Sequence, residues 1–98
     1  GLLEQARGMQ DRMKQMEEEA GRKTVEGSSG GGMVTVQVNG RMEVLKISID
    51  PVAVDSRDVA MLEDLVVSAT NVALQNARDL MASEMKKLTG GLNIPGLF

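Results

Sequence analysis

The sequence predicts an α/β fold of the α+β type, in which a helix precedes a three-stranded antiparallel meander and a long second helix. Two observations carry this prediction. Short runs of alternating apolar residues lie between positions 22 and 50, and a long segment with helical periodicity lies on each side of them. At 98 residues the chain has the length of one domain. We place that domain at residues 1–91, followed at 92–98 by an apolar tail that we expect to be flexible.

The first segment, about residues 2–20, is predicted to be an amphipathic helix. Its apolar residues recur at alternating intervals of four and three, which is the spacing of a heptad seam. We expect this seam to pack against the second helix, and a methionine-lined surface for partner proteins is the alternative. The seam consists of Leu2, Ala6, Met9, Met13, Met16 and Ala20.

The middle of the chain, about residues 22–50, is predicted to form the three strands. Residues 22–27 make a weak first strand, and residues 33–39 alternate so that their three valines share one face. The Gly-Ser run between them could be mistaken for a phosphate-binding loop. It lacks the Lys of such loops and precedes a strand instead of a helix, so we predict a simple connector.

A hairpin is predicted to join the second and third strands. Asn39-Gly40 has the residue types of a type I′ turn, which would pair residues 42–49 back against the second strand. Apolar residues occur on both faces of that last strand, which indicates a β-bulge or a partly covered second face. Val44 is expected on one face, and on the other Leu45, Ile47 and Ile49.

The second helix is predicted at about residues 56–88. Asp55 or Ser56 would cap its first turn, and Gly90-Gly91 would end it. Such a helix is about 48 Å long, whereas a compact domain of this size has a radius of gyration of only about 13 Å. It must therefore project beyond the sheet. We expect the first helix to lie antiparallel along the projecting half, so that its start and the end of the second helix meet at the tip of an arm.

Composition excludes most kinds of catalysis. The chain has no Cys and no His, so it lacks thiolate nucleophiles, the usual metal ligands and the usual general base. The acidic residues do not follow a calcium-loop spacing. We therefore expect no enzymatic activity, no cofactor, no metal and no small-molecule substrate. No apolar run approaches the ~20 residues of a membrane helix. We expect a cytoplasmic protein with no membrane partner.

Six basic residues are placed to form a patch on the predicted arm. From the residues alone, a solvated surface with ordinary ion pairs is favoured over phosphate binding, since acidic residues intervene and the net charge is −3. With one aromatic residue in the chain, base stacking is not available, which argues against single-stranded nucleic acid. The six candidates for DNA contact are Arg7, Arg12, Lys14, Arg78, Lys86 and Lys87.

Several motifs occur along the chain in a fixed order. Their combination is a more specific signal than amino-acid composition. A Met-rich first helix is followed by VEGSSGGGMVTVQVNG, ISIDP, MLEDLVVSATNVAL and a closing KLTGGLNIPGL. In this the chain resembles the YbaB/EbfC family of bacterial nucleoid-associated DNA-binding proteins.

The resemblance implies a homodimer with a shared sheet and projecting helical arms, which binds double-stranded DNA without enzymatic activity and helps to organise the nucleoid. It makes phosphate contact the favoured role of the six cations. The alternative is a dimeric protein-interaction scaffold that uses Met-lined arms.

Overall fold

A computed structural model describes residues 1–89, including the side chains of residues 1–87. The predicted order of helix, three-stranded antiparallel sheet and long helix is confirmed. The tail at 92–98 lies outside the described residues. The elements are α1 (Leu2–Arg22), β1 (Thr24–Ser29), a 3₁₀ turn (Gly30–Gly32), β2 (Val34–Asn39), β3 (Val44–Ile49), a second 3₁₀ turn (Pro51–Ala53) and α2 (Val59–Thr89).

The core lies between the sheet and α2. Three valines of β2 are fully buried, and each contributes about 1.5–3 kcal/mol by transfer energies. They pack against small residues of α2, which brings the helix very close to the sheet. A Cβ built on Gly27 of β1 would lie 2.6 Å from the carbonyl oxygen of Ala69, so glycine is required there. The buried cluster consists of Val34, Val36, Val38, Ala69, Ala73 and Ala77.

The loop between β2 and β3 differs from the predicted type I′ turn. Asn39 N donates to the Glu43 carbonyl oxygen at 3.1 Å, so three residues lie between this bonded pair. The positive φ falls on Met42 at 64° rather than on Asn39 or Gly40. The Asn39 side chain holds this shape, because its Oδ1 accepts from the backbone N of Arg41 at 2.9 Å and of Glu43 at 3.1 Å. A type I turn followed by a left-handed residue is a common three-residue hairpin loop.

Gly40 has a different role from the one its sequence context predicts. Its backbone N donates to the carbonyl oxygens of Ala20, at 2.9 Å, and Lys23, at 3.0 Å. A Cβ on Gly40 would lie 2.8 Å from the Ala20 oxygen. Glycine is therefore needed for the close approach of the hairpin to the end of α1.

The predicted bulge is present in β3. Gln37 pairs with Lys46 and Val38 with Val44, so Leu45 is the extra residue. Because of the bulge, the prediction that Val44 lies on the other face from Ile47 and Ile49 is wrong. Val44 now lies opposite buried Val38, on the same face as two isoleucines that lie opposite buried valines. Their exposed fractions are 47% for Val44, 44% for Ile47 and 39% for Ile49.

This apolar face of β3 is left open because α2 lies over β1 and β2. Within residues 1–89, nothing else covers it. The sheet therefore presents an unpaired edge strand with an exposed apolar face, the combination that invites pairing with another chain.

Helix α2 begins at Val59, later than predicted. Asp58 caps it, with Oδ1 accepting from the backbone N of Met61 at 3.2 Å. Asp55 instead binds Arg57 through both carboxylate oxygens at 3.1 Å, and these bonds lower the pKa of Asp55. At 31 residues α2 is about 46 Å long. The sheet covers it only as far as Ala77, and the remainder projects as expected.

Helix α1 does not lie along the projecting half of α2, contrary to the prediction. Only Ala20 is buried, and the seam is open to solvent, with exposed fractions of 86% at Leu2 and 65% at Met9. Its contacts are at its C-terminal end. A single residue, Lys23, joins α1 to β1. So short a connection leaves no loop that could turn α1 back along α2.

Candidate nucleic-acid interface

The candidate cations lie on two helical segments, α1 and residues 78–89 of α2, which we call the arm. On α1, Arg7, Arg12 and Lys14 are exposed, and none forms an ion pair within the described residues. Arg7 and Lys14 are seven residues apart and so share one side of the helix, while Arg12 lies roughly 140° or more around it. Arg7 and Lys14 are thus the pair best placed to contact one ligand.

The cations of α2 are arranged differently. Arg78 and Lys86 lie on the side of α2 that faces away from its buried alanines, roughly 80° apart by helical geometry. The Arg78 Nη2 donates to Gln75 Oε1 at 3.2 Å. Lys87 lies on the opposite side, 3.8 Å from a carboxylate oxygen of Glu84. All three cations are exposed, but they do not form one surface.

The two parts of the arm meet at Glu84. Lys23 Nζ at the end of α1 lies 2.9 Å from Glu84 Oε2, and Lys87 contacts the other oxygen. The hydrogen bond from Lys23 is the main reason that the pKa of Glu84 is lowered. Arg7 lies 16 residues before Lys23, roughly 24 Å along the helix axis. The six predicted residues therefore form two groups in the single chain and do not converge at one tip.

One basic residue near the junction was missed by the sequence reasoning. Arg41, at the tip of the hairpin, has its guanidinium over Gly21 at the end of α1, and its Nε lies 3.4 Å from Glu43 Oε1. The partially negative end of α1 favours a cation at this place. The predicted meander could have revealed this contact, because it places the start of β1, and so the end of α1, opposite the end of β2, which Arg41 closely follows. The structure pairs Thr24 with Asn39 in this way.

The other motifs have structural positions. Gly30–Gly32 joins two strands, all three glycines have positive φ, and no helix N-terminus follows. Within residues 1–89, no three acidic side chains come close enough together to hold a metal ion. Neither of the two helices is apolar enough along its length to cross a bilayer, as judged over the same residues.

Comparison with known proteins identifies the family to which this fold belongs. The model of the YbaB/EbfC DNA-binding family matches residues 1–92. The chain belongs to the YbaB/EbfC family. This is a family of DNA-binding proteins and not of enzymes, and the resemblance seen in the motifs is confirmed.

Individual relatives agree with the family. A protein of Caldanaerobacter subterraneus subsp. tengcongensis named a nucleoid-associated protein is 57% identical over 99% of this chain and 87% of its own length. A protein of Syntrophobacter fumaroxidans with the same name is 52% identical over 97% of this chain and 86% of its own length. The crystal structure of an uncharacterized Helicobacter pylori protein matches this YbaB/EbfC chain with a TM-score of 0.73 at 24% identity, covering 89% of this chain and 91% of that one. It supports the fold.

Proposed function

We propose that this YbaB/EbfC protein binds double-stranded DNA as a homodimer, mainly through phosphate contacts from the arm, with modest sequence preference. The observation that carries the proposal is the exposed, unpaired state of Arg7 and Lys14 within the described part of a DNA-binding family member. By analogy with its named relatives, the dimer acts at the bacterial nucleoid, where it organises DNA or modulates expression. It uses no cofactor and performs no catalysis.

The open face of β3 supports the dimer. Val44, Ile47 and Ile49 point to the side that α2 covers elsewhere in the sheet, yet each remains at least 39% exposed. Pairing of β3 with β3 of a second copy would extend the sheet and place the partner's apolar side chains beside these on the same face. It would also satisfy the edge-strand backbone groups of both copies. Residues 1–91 act as the domain that dimerises.

A dimer would have enough basic side chains for strong phosphate binding, which one chain lacks. Each arm cation occurs twice in a dimer, so Arg7, Arg12, Lys14 and their counterparts on α2 can provide six to eight phosphate contacts, roughly the number at which binding becomes steeply salt-dependent. The net charge of −3 per chain opposes general attraction to DNA, so the proposal relies on local placement of the cations.

Duplex DNA is the favoured ligand because the chain has too few aromatic side chains on which unpaired bases could stack. The chain contains one aromatic residue, whereas proteins that bind single strands stack bases on several. Competition of unlabelled duplex and single-stranded DNA of equal length for a labelled duplex tests this part of the proposal. The duplex should compete at lower concentration. Equal or better competition by the single strand would contradict it.

The exposed seam of α1 favours one second candidate, a dimeric scaffold for other proteins. Leu2, Met9 and Met13 of this seam are each at least 62% exposed, a surface that suits partner binding. Capture from a nuclease-treated lysate separates the two functions. A discrete protein retained at stoichiometric level without DNA, and lost on changing Met9 to Glu, supports the scaffold, whereas loss of all partners with the DNA supports DNA binding.

A further inference from the structure

A groove of about 550 Å³ lies where α1 passes over the hairpin and the projecting part of α2. Met13 is the most exposed of its apolar lining residues, at 62%. Met81 of α2 also lines the groove, close enough to the hairpin that a Cβ on Gly40 would lie 2.7 Å from its sulfur. The apolar lining consists of Met13, Met16, Ala20 and Met81.

The chemistry of the lining indicates the kind of ligand. Methionine side chains adapt their shape and contact irregular apolar groups well. The charged side chains at the groove are one of each sign, Glu17 and Arg41, so neither an acidic nor a basic ligand is favoured. An apolar, uncharged segment of irregular backbone fits this surface best.

The chain itself carries such a segment directly after α2. Residues 90–98 read Gly-Gly-Leu-Asn-Ile-Pro-Gly-Leu-Phe, with four large apolar side chains and no charged one. Met81 lies eight residues before the end of α2, about 12 Å along the axis. Nine extended residues span up to about 30 Å. Gly90-Gly91 allows the chain to reverse direction, and Pro95 prevents a continued helix.

We propose that residues 92–98 dock in this groove of their own chain. The segment covers the Met lining and holds the C-terminal end of α1 against α2. A tethered segment reaches its site at an effective concentration in the millimolar range, so it is favoured over a separate molecule of equal affinity. Because the groove includes both parts of the arm, its occupancy also restrains the direction of α1. This inference does not depend on DNA binding.

A disulfide test is direct, because the natural chain has no cysteine. The test variant carries Met81→Cys and Leu97→Cys. The matched control carries Ser83→Cys and Leu97→Cys, because Ser83 is exposed on α2, about 3 Å from position 81 along the axis and roughly 160° around the helix from it. We expect the test pair to form an intrachain disulfide at least tenfold faster than the control pair under the same glutathione buffer.

Two outcomes of this test would overturn the proposal. Equal rates in the two variants would mean that the segment has no preference for the groove. A disulfide that forms between chains, seen as a dimer on a non-reducing gel, would identify the tail of a second copy as the occupant.

A second measurement leaves the groove unaltered. Methyl NMR of the methionines is compared between the full chain and a full-length variant in which Leu92, Ile94, Leu97 and Phe98 are all changed to Ser. Asn93→Ser is the control. We expect the signals of Met13, Met16 and Met81 to shift in the fourfold variant alone, while those of Met33 and Met61 stay in place. Unchanged groove signals would overturn the proposal.

Discussion

Replacing Arg7 and Lys14 with Ala is predicted to remove four phosphate contacts from the DNA complex of a dimer. Both side chains are exposed and without ion pairs in the described residues, so their loss should leave the fold intact. Each contact with B-DNA contributes about 0.9 to the slope of log affinity against log salt concentration. The slope should therefore become shallower by about 3.6. With equal binding by the two proteins at 1 M salt, where this term is zero, the double variant should bind about 4000-fold more weakly than the natural protein at 0.1 M salt.

Fluorescence anisotropy of a labelled duplex across a salt series measures both quantities. Arg57→Ala is the matched control, because Arg57 is an exposed cation before the start of α2, far from the arm, and it is held by Asp55. The control should keep the natural slope. A double variant with an unchanged slope and an unaltered circular dichroism spectrum would refute the assignment of Arg7 and Lys14 to phosphate.

The remaining predictions concern stability and assembly. Gly27→Ala should lower the free energy of unfolding by at least about 2 kcal/mol in a urea titration, because the new Cβ meets the α2 backbone, whereas Gly8→Ala, with open space around it, should not lower it. An unaltered midpoint for Gly27→Ala would contradict the close helix–sheet packing. Ile47→Asp should shift sedimentation towards the monomer, since it places a charge on the open face of β3, and an unchanged dimer would locate the interface elsewhere. The folded-state pKa of Glu84 is lowered by Lys23, so this carboxylate stabilises the fold at neutral pH and the effect is lost as the pH falls below the ordinary glutamate value of 4.5. Glu84→Gln should therefore reduce the stability difference between neutral and acidic pH, and an identical pH profile would show that the ion pair contributes nothing.

Local patterns predicted the parts of the fold that depend on nearby residues. The alternation of Val34, Val36 and Val38 identified the buried face of β2, and these three valines are fully buried. Apolar residues on both faces of the last strand indicated the bulge that is found at Leu45. Such a pattern of apolar and polar residues is complete within a few positions, so it can be recognised from the sequence.

Features that depend on distant contacts were not predictable in this way. Asn39-Gly40 matched a type I′ turn by residue type, but Gly40 is required by the end of α1, 20 residues away. The direction of α1 depends on the single-residue connection at Lys23. The distance between Arg7 and Lys87 depends in turn on the direction of α1. The candidate residues could therefore be named from the sequence, but their grouping on the surface could not.

The most direct test of duplex binding is a salt series of anisotropy titrations with the natural protein and a labelled duplex, with the mass of the bound species measured by sedimentation. The proposal predicts saturable binding by two chains, with affinity falling about 10³-fold or more between 50 mM and 200 mM salt. Absence of binding at low salt, or binding that is insensitive to salt, would contradict it.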